Sequence, residues 1–491
     1  MRDTTQFFLN GSPIEVGGRE ALAMLAPWLR SNIGLTGTKI ACAQGACGSC
    51  SVLLGRPTPN GFDYAPINSC IFPVYNCDGC HVITVEGLNG PELTRGQDTG
   101  ELSAVQNALV ACHGAQCGFC TPGIAITLTA LHQTKRGDAT KEEVERALEG
   151  NLCRCTGYAS IIESGLSVDA VAVRSLDELY PPQPLLEKWG AIADDDVKII
   201  APRAANLGAQ TLFSPREWQA ALDWKARHPN ALIVAGATEI GVSLNATHEA
   251  PPEILSLARV EGADEITLEN GVLALGARAT WAQLLAFDLS SLPELSQLLN
   301  RWASPQLRRV GTVAGNIVKA SSISDSLPFL LVCGAQIELE SARGTRRVGI
   351  EDWLKNPTLA PDELLRRVQV SLPAGAMRIY KVTKRRAFAR SIVSGALVLE
   401  ARDGKIESVR MAFGGVGERA LRLRETENWL RGQPLESATW REAGRRAQSE
   451  IAPVSDGEAS EEYRRRLVGG LLRKFGSEIG GHAGAPPSAL D

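Results

Sequence analysis

The stretch Cys42-Ala-Gln-Gly-Ala-Cys47-Gly-Ser-Cys50 decides how the first third of this 491-residue chain is read. Its cysteines follow the pattern C-x4-C-x2-C, the spacing of a plant-type [2Fe–2S] centre that needs a distant fourth thiolate. A loop of this kind wraps a cluster so that several thiolates reach two irons. Gly45 and Gly48 let the backbone come close and aim N–H groups at the sulfurs. Those hydrogen bonds, with burial, tune the reduction potential. Cys70, twenty residues beyond Cys50, is the expected fourth ligand. Cys77 and Cys80 compete for the role. Asp78-Gly79 between them is a two-residue hairpin signal, which predicts Cys77 and Cys80 as facing partners on adjacent strands, away from the loop.

A second group follows. Cys117-Gly-Phe-Cys120 precedes one predicted helix and Cys153-Arg-Cys155 follows another, with 32 residues between Cys120 and Cys153. An antiparallel helix pair would bring those ends together and present four thiolates to one cluster. Four thiolates also suit a structural zinc ion, although a C-x-C pair is unusual for a zinc ribbon. Cys112 fits an apolar helix face and Cys333 lies in the apolar run PFLLVCGAQIELE, so both read as core. Eleven of the twelve cysteines fall before residue 156, and in a reducing compartment such clustering favours metal ligation over disulfides.

A hydrophobic fraction of 44% with 22% charged residues describes a soluble globular chain of several domains. Its 51 basic and 55 acidic residues leave a net charge of -4, with no basic surplus for nucleic acid. The N-terminus lacks the basic start and apolar core of a signal peptide, and no apolar run is long enough to span a membrane. A cytoplasmic location is expected.

Local signals divide the chain. Asn10-Gly11 predicts a hairpin, REALAMLAPWLRSN a helix, and SVLL and HVITVEGL strands, together a ferredoxin-like β-grasp module. Thr121-Pro122 reads as an N-cap with Pro at the first helical position, Thr140 and Glu143 as a capping box, and Gly150 as a helix stop. SIIESGLSVDAVAV adds another helix to a small bundle. Residues 166–205, with Tyr180-Pro181-Pro182-Gln183-Pro184 and Asp194-Asp195-Asp196, read as a connector. Ser214, Pro215 and Glu217 read as a helix start, Asp403-Gly404 as a hairpin, and the tail after about residue 476 as Gly/Ala/Pro-rich and disordered at its end. The expected class is multidomain α+β: a ferredoxin-like domain (1–90), a helical bundle (91–168), a linker (169–204), an α/β domain (205–375) and a C-terminal α+β domain (376–480).

The blocks CAQGACGSC, CHGAQCGFCTPG and NLCRCTGY, with IVAGATEIG, VGTVAGNIVKASSISDSLP and YKVTKRR after them, resemble the xanthine dehydrogenase/aldehyde oxidase family of molybdenum hydroxylases. The resemblance covers roughly residues 5–165 and 205–475. It implies that Cys42, Cys47, Cys50 and Cys70 hold the ferredoxin-like cluster. Cys117, Cys120, Cys153 and Cys155 would hold the cluster nearer the molybdenum cofactor. It also implies an FAD domain followed by a domain typical of carbon monoxide dehydrogenase flavoproteins.

Within that domain, Ile233, Val234, Ala235, Gly236, Ala237, Thr238, Glu239 and Ile240 run from a strand into a loop whose N–H groups suit a diphosphate. A second such turn runs from Gly311 to Asn316 and includes Thr312 and Gly315; Thr238 and Thr312 offer hydroxyl donors. By resemblance, Asp325 binds the sugar or adenine end of FAD and Trp302 packs beside the cofactor. Lys384 would stabilise the negative charge of reduced flavin. No G-x-G-x-x-G follows a strand, so no Rossmann nicotinamide site is indicated. GGVGER at 414–419 reads as a surface turn.

The implied function is electron transfer. A larger partner subunit carrying molybdopterin hydroxylates an aromatic heterocycle or aldehyde, and this chain passes the electrons through two [2Fe–2S] clusters to FAD. The acceptor is NAD, oxygen or another molecule, because AFARS after Arg386 lacks the acidic residues many relatives carry there. A dimer of heteromers is expected. The alternatives are a self-contained iron–sulfur flavoprotein acting on its own small substrate, and a zinc-holding module without redox activity.

Overall fold

A computed structural model describes residues 1–91, 101–135, 137–190, 193–203 and 208–480. The chain forms two compact units: Met1–Gly262 with Ser304–Gly311, and Ala263–Ala303 with Thr312 onward. Four sheets and many helices make it a multidomain α+β protein. No helix among the described residues is long and apolar enough to cross a membrane.

The first unit opens with a five-stranded sheet in the order Ser12–Gly17, Thr4–Leu9, His81–Ile83, Ser51–Thr58, Gly61–Asn68. Only Thr4–Leu9 and His81–Ile83 run parallel. Asn10 and Gly11 both have positive φ (47° and 79°), the requirement of the tight hairpin between the first two strands. The helices Ala104–Ala111, Thr121–Thr134, Lys141–Ala147 and Ala159–Leu166 follow. A four-stranded sheet then pairs Val197–Pro202, Ala209–Ser214, Glu253–Ser256 and Leu232–Val234, with the last three parallel to one another. One apolar core joins the two sheets, with Phe7, Trp28 and Val82 packed together with Ile199, Leu212, Val234 and Val310.

The second unit holds an antiparallel sheet of Ile266–Glu269, Val272–Gly276, Leu364–Ser371, Gln336–Ser341 and Gly344–Gly349. A second antiparallel sheet comprises Ala376–Val382, Val393–Arg402, Lys405–Gly414 and Leu421–Arg422. Asp403 and Gly404, at φ 50° and 73°, make the expected hairpin. The helices Ser437–Glu450 and Glu461–Gly480 pack through Trp440 and Phe475, edge to face at 5.2 Å.

Several local expectations are corrected. Asp78-Gly79 forms no hairpin. Asp78 keeps negative φ (−52°) and only Gly79 is positive (74°), so Cys80 N–H closes a single turn on the Cys77 carbonyl at 2.8 Å. Cys77 ends the 3-10 turn Val74–Cys77, and the Asp78 carboxylate is pinned by Arg2 and Arg259. REALAMLAPWLRSN splits into Gly18–Ala21 and Leu25–Ser31, because Met24 is extended and bridges Pro73. The helix at Thr121 is capped by Cys120, one residue earlier than expected. SIIESGLSVDAVAV is helical only over Ala159–Leu166. Ser214 ends a strand, and Glu217 is the N-cap of the helix Trp218–Arg227.

The connector is built rather than bare. It carries the helices Leu176–Leu179 and Pro182–Gly190, and Tyr180 Oη donates to the Gly87 carbonyl at 2.7 Å. The last helix continues to Gly480, and the end of the tail, expected to be disordered, lies outside the described residues. Gly414, Gly415 and Val416 are buried, with Gly415 N–H bonded to Ser322 O at 2.7 Å; only Glu418 and Arg419 of GGVGER are exposed. Cys333 is core, but Cys112 is not: it ends the helix Ala104–Ala111, partly exposed, its Sγ 3.0 Å from Ser167 Oγ.

Candidate functional site

The Cys42–Cys50 loop crosses between helix Leu25–Ser31 and strand Ser51–Thr58, and the 3-10 turn Ser69–Ile71 carries Cys70 beside it. Cys50 and Cys70 are 1% and 2% exposed, among Ala26 and Ile71, while Cys42 and Cys47 are partly exposed. Backbone N–H groups of Ala46 and Gln44 point at Cys42 Sγ from 3.2 and 3.4 Å. The thiol of Cys42 is a hydrogen-bonding neighbour of Cys47 and of Cys70, and Cys70 of Cys50. The hydrogen bond with Cys42 and then burial push the Cys47 thiol far up. Cys42 pulls Cys70 down, but Cys50 and burial outweigh it and the net direction is upward.

Crowded thiols that resist joint ionisation need a cationic centre among them to become thiolates together. That donor chemistry fits an iron–sulfur cluster. Cys77 and Cys80 lie elsewhere, buried in the apolar core with Phe7 and Trp28. None of the twelve cysteines forms a disulfide. Among the described residues no three His, Cys, Asp or Glu side chains stand so as to grip a single metal ion.

The second set gathers at helix ends. Cys120 caps Thr121–Thr134, and Cys153 and Cys155 follow the 3-10 turn Leu148–Gly150. Cys117 Sγ and Cys155 Sγ are 3.5 Å apart, both residues exposed. Cys120 and Cys153 are hydrogen-bonding neighbours; burial, then Cys153, pushes Cys120 up to about 12. Burial also acts upward on Cys153, but the Thr156 hydroxyl, 3.1 Å from its sulfur, and nearby N–H groups bring it below the ordinary thiol range.

The two sets touch. Leu152 N–H, one residue before Cys153, donates to the Cys47 carbonyl at 2.9 Å. Gly48, at φ 68°, sits so close to the second set that a Cβ would come within 2.4 Å of the Gly150 carbonyl. The first set also touches the segment Ile233–Ile240. Strand Leu232–Val234 enters a loop with Ala237 at φ 60°, then helix Ile240–Thr247. A Cβ on Gly236 would lie 1.7 Å from the Val310 carbonyl, so only glycine lets these two backbones meet. From that helix, Asn245 Nδ2 donates to the carbonyls of Ala43 (2.9 Å) and Cys70 (2.8 Å).

The remaining predicted residues belong to the second unit. Thr312 Oγ1 accepts from Gly315 N–H at 3.0 Å, capping Val313–Lys319, and Asn316 Oδ1 accepts from Ser324 and Ser326. Trp302 lies on Trp281, ring centres 4.3 Å apart. Asp325 is buried, bonded to Ser391 and paired with Lys381 at 2.7 Å. Lys384 instead faces Glu458 at 3.2 Å with its side chain 53% exposed. Sequence reasoning passed over Lys381 and Ser391. Lys381 lies on strand Ala376–Val382 and Lys384 in the loop beyond it, so the end of that strand was the signal that separates them.

Known proteins share this arrangement. Residues 84–165 match the [2Fe-2S] binding domain, 207–374 the FAD binding domain in molybdopterin dehydrogenase, and 378–479 the CO dehydrogenase flavoprotein C-terminal domain. The chain is 28% identical to aldehyde oxidase 2 of Macaca fascicularis, over 97% of this chain and 39% of that protein. It is 28% identical to xanthine dehydrogenase/oxidase of Rattus norvegicus, over 96% of this chain and 39% of the relative. The chain thus spans about two fifths of the length of these relatives. Among solved structures, quinoline 2-oxidoreductase from Pseudomonas putida 86 superposes with a TM-score of 0.50 and 25% identity, over 55% of this chain and 96% of that one. Three such domains follow one another, and along nearly its whole length the chain is similar to xanthine dehydrogenases and aldehyde oxidases.

Proposed function

We propose that this chain is the electron-transfer part of a molybdenum hydroxylase. It receives electrons from a molybdopterin centre on a larger partner subunit and delivers them to an acceptor such as NAD. Cys117, Cys120, Cys153 and Cys155 hold the entry cluster; Cys42, Cys47, Cys50 and Cys70 hold the second. When bound, the clusters and FAD supply the redox chemistry. The protein's residues exclude water, hold the sulfurs and fix the spacing between centres.

The observation that carries this reading is continuity within the first unit. Leu152 N–H bonded to Cys47 C=O links the cysteine sets, and Asn245 links the Cys70 backbone to helix Ile240–Thr247. The loop Ala235–Glu239, with its close approach at Gly236, suits a diphosphate of FAD. Thr312, Gly315, Asn316, Asp325 and Trp302 are FAD contacts on the strength of the resemblance, and Lys381, buried against Asp325, joins Lys384 as a candidate cation. In this reading residues 1–90 are a β-grasp domain, 91–168 a helical bundle, 169–204 a linker, 205–375 the flavin domain and 376–480 a C-terminal domain. The setting is a reducing cytoplasm and the assembly a dimer of heteromers.

Anaerobic purification with metal and flavin analysis tests the proposal. The expected result is about four iron and four sulfide with one FAD per chain, as two [2Fe–2S] clusters, each held by four thiolates, require, and a molybdenum-containing subunit that co-purifies. Two spectroscopically distinct reduced clusters are expected in the intact protein, and only one in C70S. Zinc in place of iron, or two clusters persisting in C70S, would defeat the assignment.

A further inference from the structure

Where the two cysteine sets meet, the structure carries a buried amide network that neither set requires for ligation. Asn151 directly precedes Leu152, whose N–H grips the Cys47 carbonyl. Asn151 Nδ2 itself donates to the Gly48 carbonyl at 3.3 Å. Two adjacent residues of the second set thus hold two adjacent carbonyls of the first.

The Asn151 amide is oriented by others. Its Oδ1 accepts from Thr127 Oγ1 at 3.0 Å and from Gln306 Nε2 at 3.0 Å. Thr127 comes from helix Thr121–Thr134, which starts at the second set; Gln306 comes from helix Pro305–Val310, which continues to the Gly236 contact. Asn151, Thr127 and Gln306 are all buried, Gln306 completely. With two donors on its oxygen, the Asn151 amide has only one orientation left, with Nδ2 toward Gly48. Among the described residues Gln306 Oε1 has no hydrogen-bond partner, and it faces Gly150, where a Cβ would come within 2.0 Å of it. A buried acceptor left unpartnered is costly, and a leucine would fill the same space without it. Packing alone therefore does not account for the side chain.

We propose that Asn151, Thr127 and Gln306 are positioning residues for passage of an electron between the two clusters. This rests on the two-cluster reading above. The network holds the bridge that runs from the Cys47 carbonyl through the Leu152 N–H to Cys153 at its shortest. Electron tunnelling falls steeply with the gap, so an amide free to rotate loosens the bridge and weakens coupling. The network bonds to carbonyls and not to sulfurs, so it sets coupling and leaves each cluster's own potential in place.

The test uses the full chain with its clusters, reduced and observed by low-temperature electron paramagnetic resonance. The variants are Q306L, T127V and the conservative T127S. The expected result is loss or narrowing of the magnetic splitting between the reduced clusters in Q306L and T127V, with T127S like the wild type. Redox titration should give unchanged midpoints for both clusters in every variant. Splitting equal to wild type in Q306L and T127V, with both signals present, would overturn the positioning role and leave the electron-transfer reading standing. Loss of a cluster signal in both variants would make the network structural and overturn it as well. Absence of two [2Fe–2S] signals in the wild type itself would remove the reading on which the inference rests.

Discussion

Around Cys50 and Cys70 the protein is closed, with those residues 1% and 2% exposed, whereas Cys117 and Cys155 stand open to solvent. The donors are the same four thiols in each set; the surroundings differ. The closed set is fed by backbone N–H groups at Cys42 and walled by Ala26 and Ile71. The open set relies on a side chain, Thr156, and on helix ends. A closed centre can exchange electrons only with what already touches it inside the chain. Here that means the second set, through Leu152, and helix Ile240–Thr247, through Asn245. An open centre can also meet a partner. On the proposed reading, this difference in exposure gives the pathway its direction, with the more open set at the entry.

The contact between the sets is where that contrast breaks first. Gly48 combines φ 68° with a Cβ position 2.4 Å from the Gly150 carbonyl, so G48V meets backbone strain and overlap together. A loss of at least about 3 kcal/mol is expected, read as a large fall in urea midpoint and loss of iron from both sets.

Acid should separate the two regions next. His81 lies in the sheet beneath the closed set, where Gly11 N–H donates to its Nε2, so Nδ1 carries the proton and meets Tyr64 Oη at 2.6 Å. Burial holds its pKa at about 3, against an ordinary 6.5. The unfolded chain therefore takes up a proton below pH 6.5 that the folded chain refuses. Stability from this group is full above pH 6.5 and drains away toward pH 3, by about 5 kcal/mol at most. Urea midpoints measured against pH should show a shallower acid slope in H81F than in the wild type.

A smaller effect sharpens the tie between the closed set and the flavin segment. N245L removes both bonds to the carbonyls of Ala43 and Cys70, and about 2 kcal/mol should be lost. Equilibrium unfolding measures it, and the spectrum of the first cluster should change while that of the second stays fixed. The smallest effect touches only the open set. T156V deletes the hydroxyl beside Cys153 Sγ, costing about 1 kcal/mol. Without that donor the extra negative charge of a reduced cluster is less well held, so the second centre's midpoint should fall in a redox titration while the first does not move.

Much of the site was legible because its signals are short. The cysteine spacings, the capping box at Thr140 and Glu143, and the hairpins at Asn10-Gly11 and Asp403-Gly404 each act within a few residues. Other readings failed where a distant group decides. Asp78-Gly79 has a hairpin composition, yet Arg2 and Arg259 hold the Asp78 carboxylate and the chain makes a single turn. Gly150 does end the helical run, but a distant group also fixes it as glycine, since Gln306 and Ser304 leave no room there for a Cβ. Lys381, buried against Asp325, is a neighbour that no local pattern marks, in addition to the motif residue Lys384.

By itself, then, the order of residues marked out the two groups of four cysteines, the α+β class and the likeness to xanthine dehydrogenases and aldehyde oxidases. Each of these depends on residue type and near-neighbour spacing, and all three stand without knowledge of the fold. Tertiary structure alone decided which set is closed, which carbonyls face which amides, and that Asn151 and Gln306, 155 positions apart, share one hydrogen bond. Those outcomes depend on burial and on distances of a few ångströms between remote segments, which no local pattern encodes.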